Sequence, residues 1–191
     1  MRFVLAPVGS RGDVQPMLAL AVALKKRGHE VVLCAAETFR PFAERVGAAF
    51  AFGGDDVRAI IARTGESIAN PARFLSIARR LAREQFGLLE SAAQGADVIV
   101  ATVTCPAAAT VAHVVGARFF WAGYQPQVLP SKTLPPMLFA PPWLPSWAWP
   151  VSWRLYLGAL AIAGGGVLDE EREKRGLSTG HGFDVLVRAA P

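Results

Sequence analysis

Phe3-Val4-Leu5-Ala6-Pro7-Val8-Gly9-Ser10-Arg11-Gly12-Asp13 opens with a short apolar run and closes it with a glycine turn. Met17-Leu18-Ala19-Leu20-Ala21-Val22-Ala23-Leu24 then continues in strong helix formers up to Lys25-Lys26-Arg27-Gly28. The order is strand, glycine turn, helix. The stop signals agree, because three cations fall where the helix dipole is negative and Gly28 is placed for a left-handed C-terminal cap.

The pattern repeats along the chain. Glu30 to Ala36 reads as a second strand, Phe39 to Val46 as a short helix capped by Gly47, and Ala48 to Phe52 as a third strand. Asn70-Pro71, an N-cap followed by proline at the first helical position, opens a helix running to about Gln94, with Phe74, Ile77, Leu81 and Leu88 as its inner stripe. Arg73, Arg79, Arg80 and Arg83 read as its solvated face. Asp97 to Val103 is a fourth strand, Pro106 starts a helix ending at Gly116, Ala117 to Ala122 is a fifth strand, and Phe183 to Ala189 reads as one more. Unbroken apolar strands alternating with helices predict an α/β, Rossmann-like parallel sheet covered on both faces.

Composition removes several classes of function. With 191 residues, 52% apolar and only 18% charged, the chain can bury a substantial core, which excludes disorder as its main state. Two cysteines, no secretory leader pattern and no His/Cys cluster at ligand spacing argue against a disulfide scaffold or a metal site and make the cytoplasm the default compartment. The net charge of +5 is scattered, and two tyrosines give no stacking platform, so no nucleic acid partner is expected. Cys34 and Cys105 read as small buried residues at strand ends, His29 and His113 as structural, and Asp97 as a cap.

From Leu134 to Trp153 there is no charged residue, while six prolines and four of the five tryptophans occur there. This stretch cannot be a continuous helix. Leu155 to Leu168 is too short to span a bilayer and carries Gly164-Gly165-Gly166. A peripheral contact with a membrane surface stays open.

Strand-to-helix turns at the C-terminal edge of a parallel sheet bind ligands, because backbone N–H groups and the helix dipole point into the crevice there. Gly9 to Asp13 occupies that place. A dinucleotide site wants G-x-G-x-x-G and an acid after strand two; Glu37 suits the second requirement, but the first fails and Asp13 would compete with a pyrophosphate. Two readings stand for Asp13. It is a good N-cap, and at the crevice mouth it suits a general base for a substrate hydroxyl. They are compatible only in part, since the dipole that favours the ionised carboxylate weakens it as a base.

Gly9-Ser10-Arg11-Gly12-Asp13-Val14-Gln15-Pro16, with the apolar helix and Arg27-Gly28-His29-Glu30-Val31 behind it, resembles the N-terminal signature of GT-B-fold glycosyltransferases that act on sterols and antibiotic aglycones, the vancomycin type among them. The likeness extends through Phe39 to Phe52, the fourth strand, the proline-rich insertion and Arg172…Arg175-Gly176-Leu177. The resemblance implies inverting transfer of a hexose from a UDP- or TDP-sugar, as co-substrate with no cofactor, to a hydroxyl of an apolar acceptor: a sterol, a lipid, or a polyketide or peptide aglycone. It makes residues 1–191 the acceptor-binding half of the GT-B architecture, with an acceptor-loop region at 125–153 and the nucleotide-sugar domain absent, so that the chain alone is incomplete and inactive. Asp13 becomes the base. Gly9, Ser10, Arg11 and Gly12 form the turn that approaches the donor's phosphates and sugar, Arg11 supplying charge. Met137, Leu138, Phe139, Trp143, Trp147 and Trp149 line the acceptor pocket. The competing expectations are a non-catalytic module for an apolar ligand and one subunit of a split transferase.

Overall fold

The computed structural model describes residues 1–55, 71–124, 130–136, 141 and 143–179. These fall in two compact units, Met1–Ala122 and Gly123–Pro191.

The first unit is a parallel sheet: β1 (Arg2–Ala6), α1 (Arg11–Lys26), β2 (Glu30–Ala35), α2 (Arg40–Arg45), β3 (Ala49–Phe52), α3 (Pro71–Ala92), β4 (Val98–Thr102), α4 (Ala108–Val115) and β5 (Arg118–Ala122). The strand order is β3-β2-β1-β4-β5, with every adjacent pair parallel. Right-handed crossovers in this order put α1 and α2 on one face and α3 and α4, which pack on each other, on the opposite face. The chain reverses direction across the sheet between β1 and β4. That is the topological switch point, and it fixes the ligand crevice at the C-terminal ends of these two strands.

The pleat sorts the core into two layers. Leu5, Val31, Leu33 and Ala35 meet Val14, Met17, Ala21 and Leu24 of α1 and Phe39 and Ala43 beside α2. Val4, Ala6, Val32, Cys34, Ile99 and Ala101 alternate with them and are buried. The cations Lys25, Lys26 and Arg27 close α1, where Arg27 is the C-cap, and Gly28 takes φ +79°, as the sequence predicts.

Three expectations are corrected here. Helix α1 starts at Arg11, so Arg11 and Gly12 are helical rather than part of a turn, even though Pro16 lies inside the helix without an N–H for the Gly12 carbonyl. The N-cap is Ser10, not Asp13. On α3, Leu81 and Leu88 are only half-buried, whereas Ala82, Gln85, Phe86 and Leu89 are buried. The inner stripe is rotated: Phe86 and Leu89 pack beside Ala82 and Gln85, two residues that carry little hydropathy signal. Arg79, Arg80 and Arg83 are exposed, as expected. Asp97 accepts the Arg2 amide at 2.6 Å and ties β1 to β4.

In the second unit a single turn of 3₁₀ helix (Ser146–Ala148) leads into α5 (Trp149–Glu173). The proline-rich stretch therefore ends in a helix. Pro150 is tolerated because it sits in the first turn, where its missing N–H has no intrahelical partner to serve. The helix runs on through Gly164-Gly165-Gly166. Trp153 is buried; its indole N–H donates to the Leu134 carbonyl at 2.9 Å and its ring meets Tyr156 edge-on at 5.7 Å. Glu171, only 8% exposed, holds Lys174 and Arg175 at 2.5 and 2.7 Å and closes the helix end. No helix among the described residues is long and apolar enough to cross a membrane. Asn70, Met137, Leu138, Phe139 and the expected strand from Phe183 to Ala189 lie outside the described residues, as do the side chains of Phe74 and Ile77.

Candidate functional site

The crevice end of β1 is built around a capping box. Ser10 leaves the strand in extended conformation, and its Oγ accepts the Gly12 N–H at 3.2 Å. Asp13 reaches back, so that its Oδ2 accepts the Ser10 N–H at 2.8 Å and the Ser10 hydroxyl at 3.1 Å. The Ser10 carbonyl takes the Asp13 and Val14 amides at 3.0 and 3.2 Å.

Gly9 makes this fold-back sterically feasible. Its φ is +141°, and a Cβ placed there would lie 2.3 Å from Asp13 Oδ2 and 2.8 Å from Asp13 Cγ. The glycine is therefore needed twice, for its backbone conformation and for the space the carboxylate occupies.

The opposite lip comes from the end of β4. The Thr102 Oγ1 accepts the Val8 N–H at 3.3 Å, the Thr104 hydroxyl donates to the Val8 carbonyl, and the two threonine oxygens are 2.8 Å apart. Behind them, the Gln85 side-chain amide on α3 donates to the Thr104 carbonyl at 3.2 Å. Sequence reading did not single out Thr102, Thr104 or Gln85. Thr102 ends the apolar strand β4 and Thr104 follows it like an ordinary turn residue, and Gln85 sits four residues beyond Leu81 where only packing reveals its burial.

Arg11 is placed elsewhere than the crevice argument requires. With Val14, Gln15, Leu18, Phe39, Phe42 and Arg45 it lines a cleft of about 400 Å³ between α1 and α2, and its guanidinium carbon is 6.0 Å from the Phe42 ring. Trp143 and Trp147 are 79% and 80% exposed, and Trp149 is half-buried. Glu37, which suited a dinucleotide site, is engaged by Arg40, whose hydrogen bond holds its carboxyl below the usual range. Cys34 and Cys105 are buried free thiols; burial pushes Cys34 up to about 12 and Cys105 higher still, so neither is a nucleophile near neutral pH. Among the described residues no cluster of His, Cys, Asp or Glu has the makings of a metal site.

The arrangement therefore fixes one carboxylate at the switch point of a Rossmann-like sheet, beside hydroxyl-bearing side chains. The N-terminal domain of glycosyltransferase family 28 matches residues 3–118. The chain belongs to that family. The vancomycin aglycone glucosyltransferase of Amycolatopsis orientalis is 31% identical over 181 residues, covering 93% of this chain and 44% of that protein. Glycosyltransferase GtfC of the same organism is 34% identical over 134 residues, covering 69% of this chain and 33% of its own. The chain thus spans between a third and a half of the length of these relatives. Among solved structures, the Streptomyces glycosyltransferase SsfS6 complexed with thymidine diphosphate superposes with a TM-score of 0.58 at 22% identity, over 94% of this chain and 46% of that one. The glycosyltransferase of kitacinnamycin gives 0.59 at 18%, over 97% and 43%. The fold is thus one half of a GT-B architecture, as the sequence motifs imply.

Proposed function

We propose that this family 28 domain is the acceptor-binding half of an inverting glycosyltransferase in which Asp13 is the general base. What carries the reading is the capping box: it holds a carboxylate at the switch-point crevice of a domain whose family transfers sugars. Asp13 takes the proton of an acceptor hydroxyl, the oxygen attacks the anomeric carbon of a UDP- or TDP-hexose, and the bond to the diphosphate breaks with inversion. The nucleotide diphosphate leaves with that bond's electron pair, held by a donor domain beyond the residues of this chain. Thymidine diphosphate in the SsfS6 crystal supports a TDP donor by analogy of fold.

The Gly12 and Asp13 amides are spent on Ser10, so the turn approaches the transferred sugar rather than cradling phosphate. Arg11 would have to leave the α1–α2 cleft to reach a diphosphate. Of the expected acceptor residues within the described part of the chain, Trp143, Trp147 and Trp149 are assigned to the wall for a sterol, lipid or aglycone acceptor; a proline-rich segment supplies such a wall at little ordering cost.

The test uses the complete two-domain protein. Asp13→Asn should lower turnover by orders of magnitude with little change in acceptor affinity. Retained turnover would reduce Asp13 to a helix cap. A second reading, peripheral attachment to a membrane, is favoured by Trp147, Val151, Leu155 and Ile162, which are 54–80% exposed. Failure of the unsubstituted protein to float with liposomes would discard it, and flotation that survives alanine at Trp147 and Leu155 would take those side chains out of the contact.

A further inference from the structure

The hydrogen atoms around Val8 can be assigned by counting. Thr104 has one hydroxyl proton, and it goes to the Val8 carbonyl. In the contact between the threonines Thr102 must then be the donor, at 2.8 Å, and one of its two lone pairs accepts the Val8 N–H at 3.3 Å. The result is a closed ring in which Val8 N–H, Thr102 O–H and Thr104 O–H point the same way round, an arrangement in which each bond polarises the next. Both backbone groups of the residue before Gly9 are thereby fixed to the end of β4.

Gln85 anchors that ring from the other face of the sheet. It is 6% exposed, and its amide donates to the carbonyl of Thr104 itself. Its Oε1 is buried without a hydrogen-bond partner among the described residues. A buried acceptor left unpaired opposes folding, and an apolar side chain at this position of α3 would avoid it. What the glutamine supplies in exchange is a fixed Thr104.

We propose that Gln85, Thr104 and Thr102 are positioning residues that set the height of the Gly9–Asp13 turn over the sheet edge, and with it the place of the Asp13 carboxylate. The ring ends at Val8, one residue before Gly9, whose conformation leaves room for the carboxylate; a shift of Val8 is passed to Ser10, which holds Asp13 Oδ2 by two hydrogen bonds. The catalytic consequence rests on Asp13 as the base, whereas the mechanical one does not.

The experiment is amide hydrogen exchange on the complete protein, read at Ser10 and Gly12 and, as reference, at Val32 and Leu33 in β2. Thr104→Val and Gln85→Met should speed Ser10 and Gly12 exchange about tenfold or more while the β2 amides hold their rates, and Thr104→Ser should restore protection. Unchanged Ser10 exchange in Thr104→Val overturns the proposal, as does a uniform rise at all four amides, which would mean general destabilisation. Where transfer is measured, the same variants should lower kcat roughly 10- to 100-fold with acceptor KM unchanged. A protein that transfers no sugar would overturn the reading of Asp13 as base while the exchange data still decide the brace.

Discussion

Replacing Gly9 with alanine puts the geometry of the turn at risk in a way that can be calculated. The new Cβ would stand 2.3 Å from Asp13 Oδ2, against the 3.4 Å at which ordinary contact begins. The carboxylate must retreat by about 1 Å, a displacement of the size that costs roughly a hundredfold in rate when it separates catalytic groups. The retreat also strains or breaks the two bonds from Ser10 to Oδ2, and a residue with a Cβ pays for φ +141°. With about 1–3 kcal/mol for backbone strain and a similar amount for bonds to a charged acceptor, partial relaxation leaves a net loss of about 2–4 kcal/mol. For a domain of this size that is roughly a 5–15 °C fall in thermal midpoint. A double-mutant cycle with Asp13→Ala isolates the steric part, because in that background only the Asp13 Cβ remains, at 3.4 Å. Denaturant unfolding of the four proteins should show Gly9→Ala costing at least 1 kcal/mol less without the carboxylate than with it, as a rough bound on the coupling. Strict additivity would mean that the glycine serves backbone conformation alone and that Gly9 does not shape the place of Asp13.

Other perturbations follow from the same structure. Alanine at Trp143 or Trp147 should change stability by under about 0.5 kcal/mol, since both side chains are largely exposed, yet weaken apolar acceptor binding about tenfold or more; equal losses in midpoint and affinity would remove them from the pocket wall. Trp153→Ala should cost about 3–5 kcal/mol, because it empties a buried site and leaves the Leu134 carbonyl without its donor. Iodoacetamide at pH 8 should leave Cys34 and Cys105 unmodified until denaturant is added; labelling at the rate of a free thiol would contradict their burial. Lys174, and after it Arg175, holds the Glu171 carboxyl below the usual range, so its stabilisation is complete above the unfolded carboxylate's pKa of about 4.3 and fades as pH falls through the lower folded value. Glu171→Gln should therefore lower the midpoint at pH 7 and flatten its fall below about pH 5, as followed by circular dichroism.

What could be read from the sequence was whatever a local signal determines. The strands at Phe3, Val31, Val98 and Phe119 are apolar runs bounded by glycine, and Gly28, Gly47 and Gly116 end helices at positive φ, so the order of elements needed no tertiary information. The capping box Ser10-x-x-Asp13 was not read, because taking Asp13 as the cap itself placed the helix start too late. The α3 stripe was not legible, because burial of Ala82 and Gln85 depends on what faces them rather than on their own hydropathy. The same holds at the crevice. Thr102 and Thr104 lie 94 and 96 residues from Val8, a separation that no spacing rule bridges, and only the pairing of β1 with β4 brings them together.

The two readings of Asp13, cap and base, meet in a single constraint. As a cap the carboxylate is held by the amide and hydroxyl of Ser10 on one oxygen, and those bonds exist because Gly9 leaves room for them. A base needs a lone pair directed at the acceptor hydroxyl and a position that does not wander between turnovers. The capping box supplies the second at the expense of the first, since every donor on Oδ2 competes with the proton to be taken. The Ser10 amide is fixed in the backbone at the N-cap, but the Ser10 hydroxyl, the longer bond at 3.1 Å, can rotate away. Ser10→Ala therefore separates the roles. It should destabilise the domain by about 1 kcal/mol, the usual worth of a lost N-cap side chain. If Asp13 is the base, the turnover of the two-domain protein should hold or rise, because a competitor for the carboxylate has gone; a drop as deep as that of Asp13→Asn would mean that the hydroxyl itself takes part in the transfer.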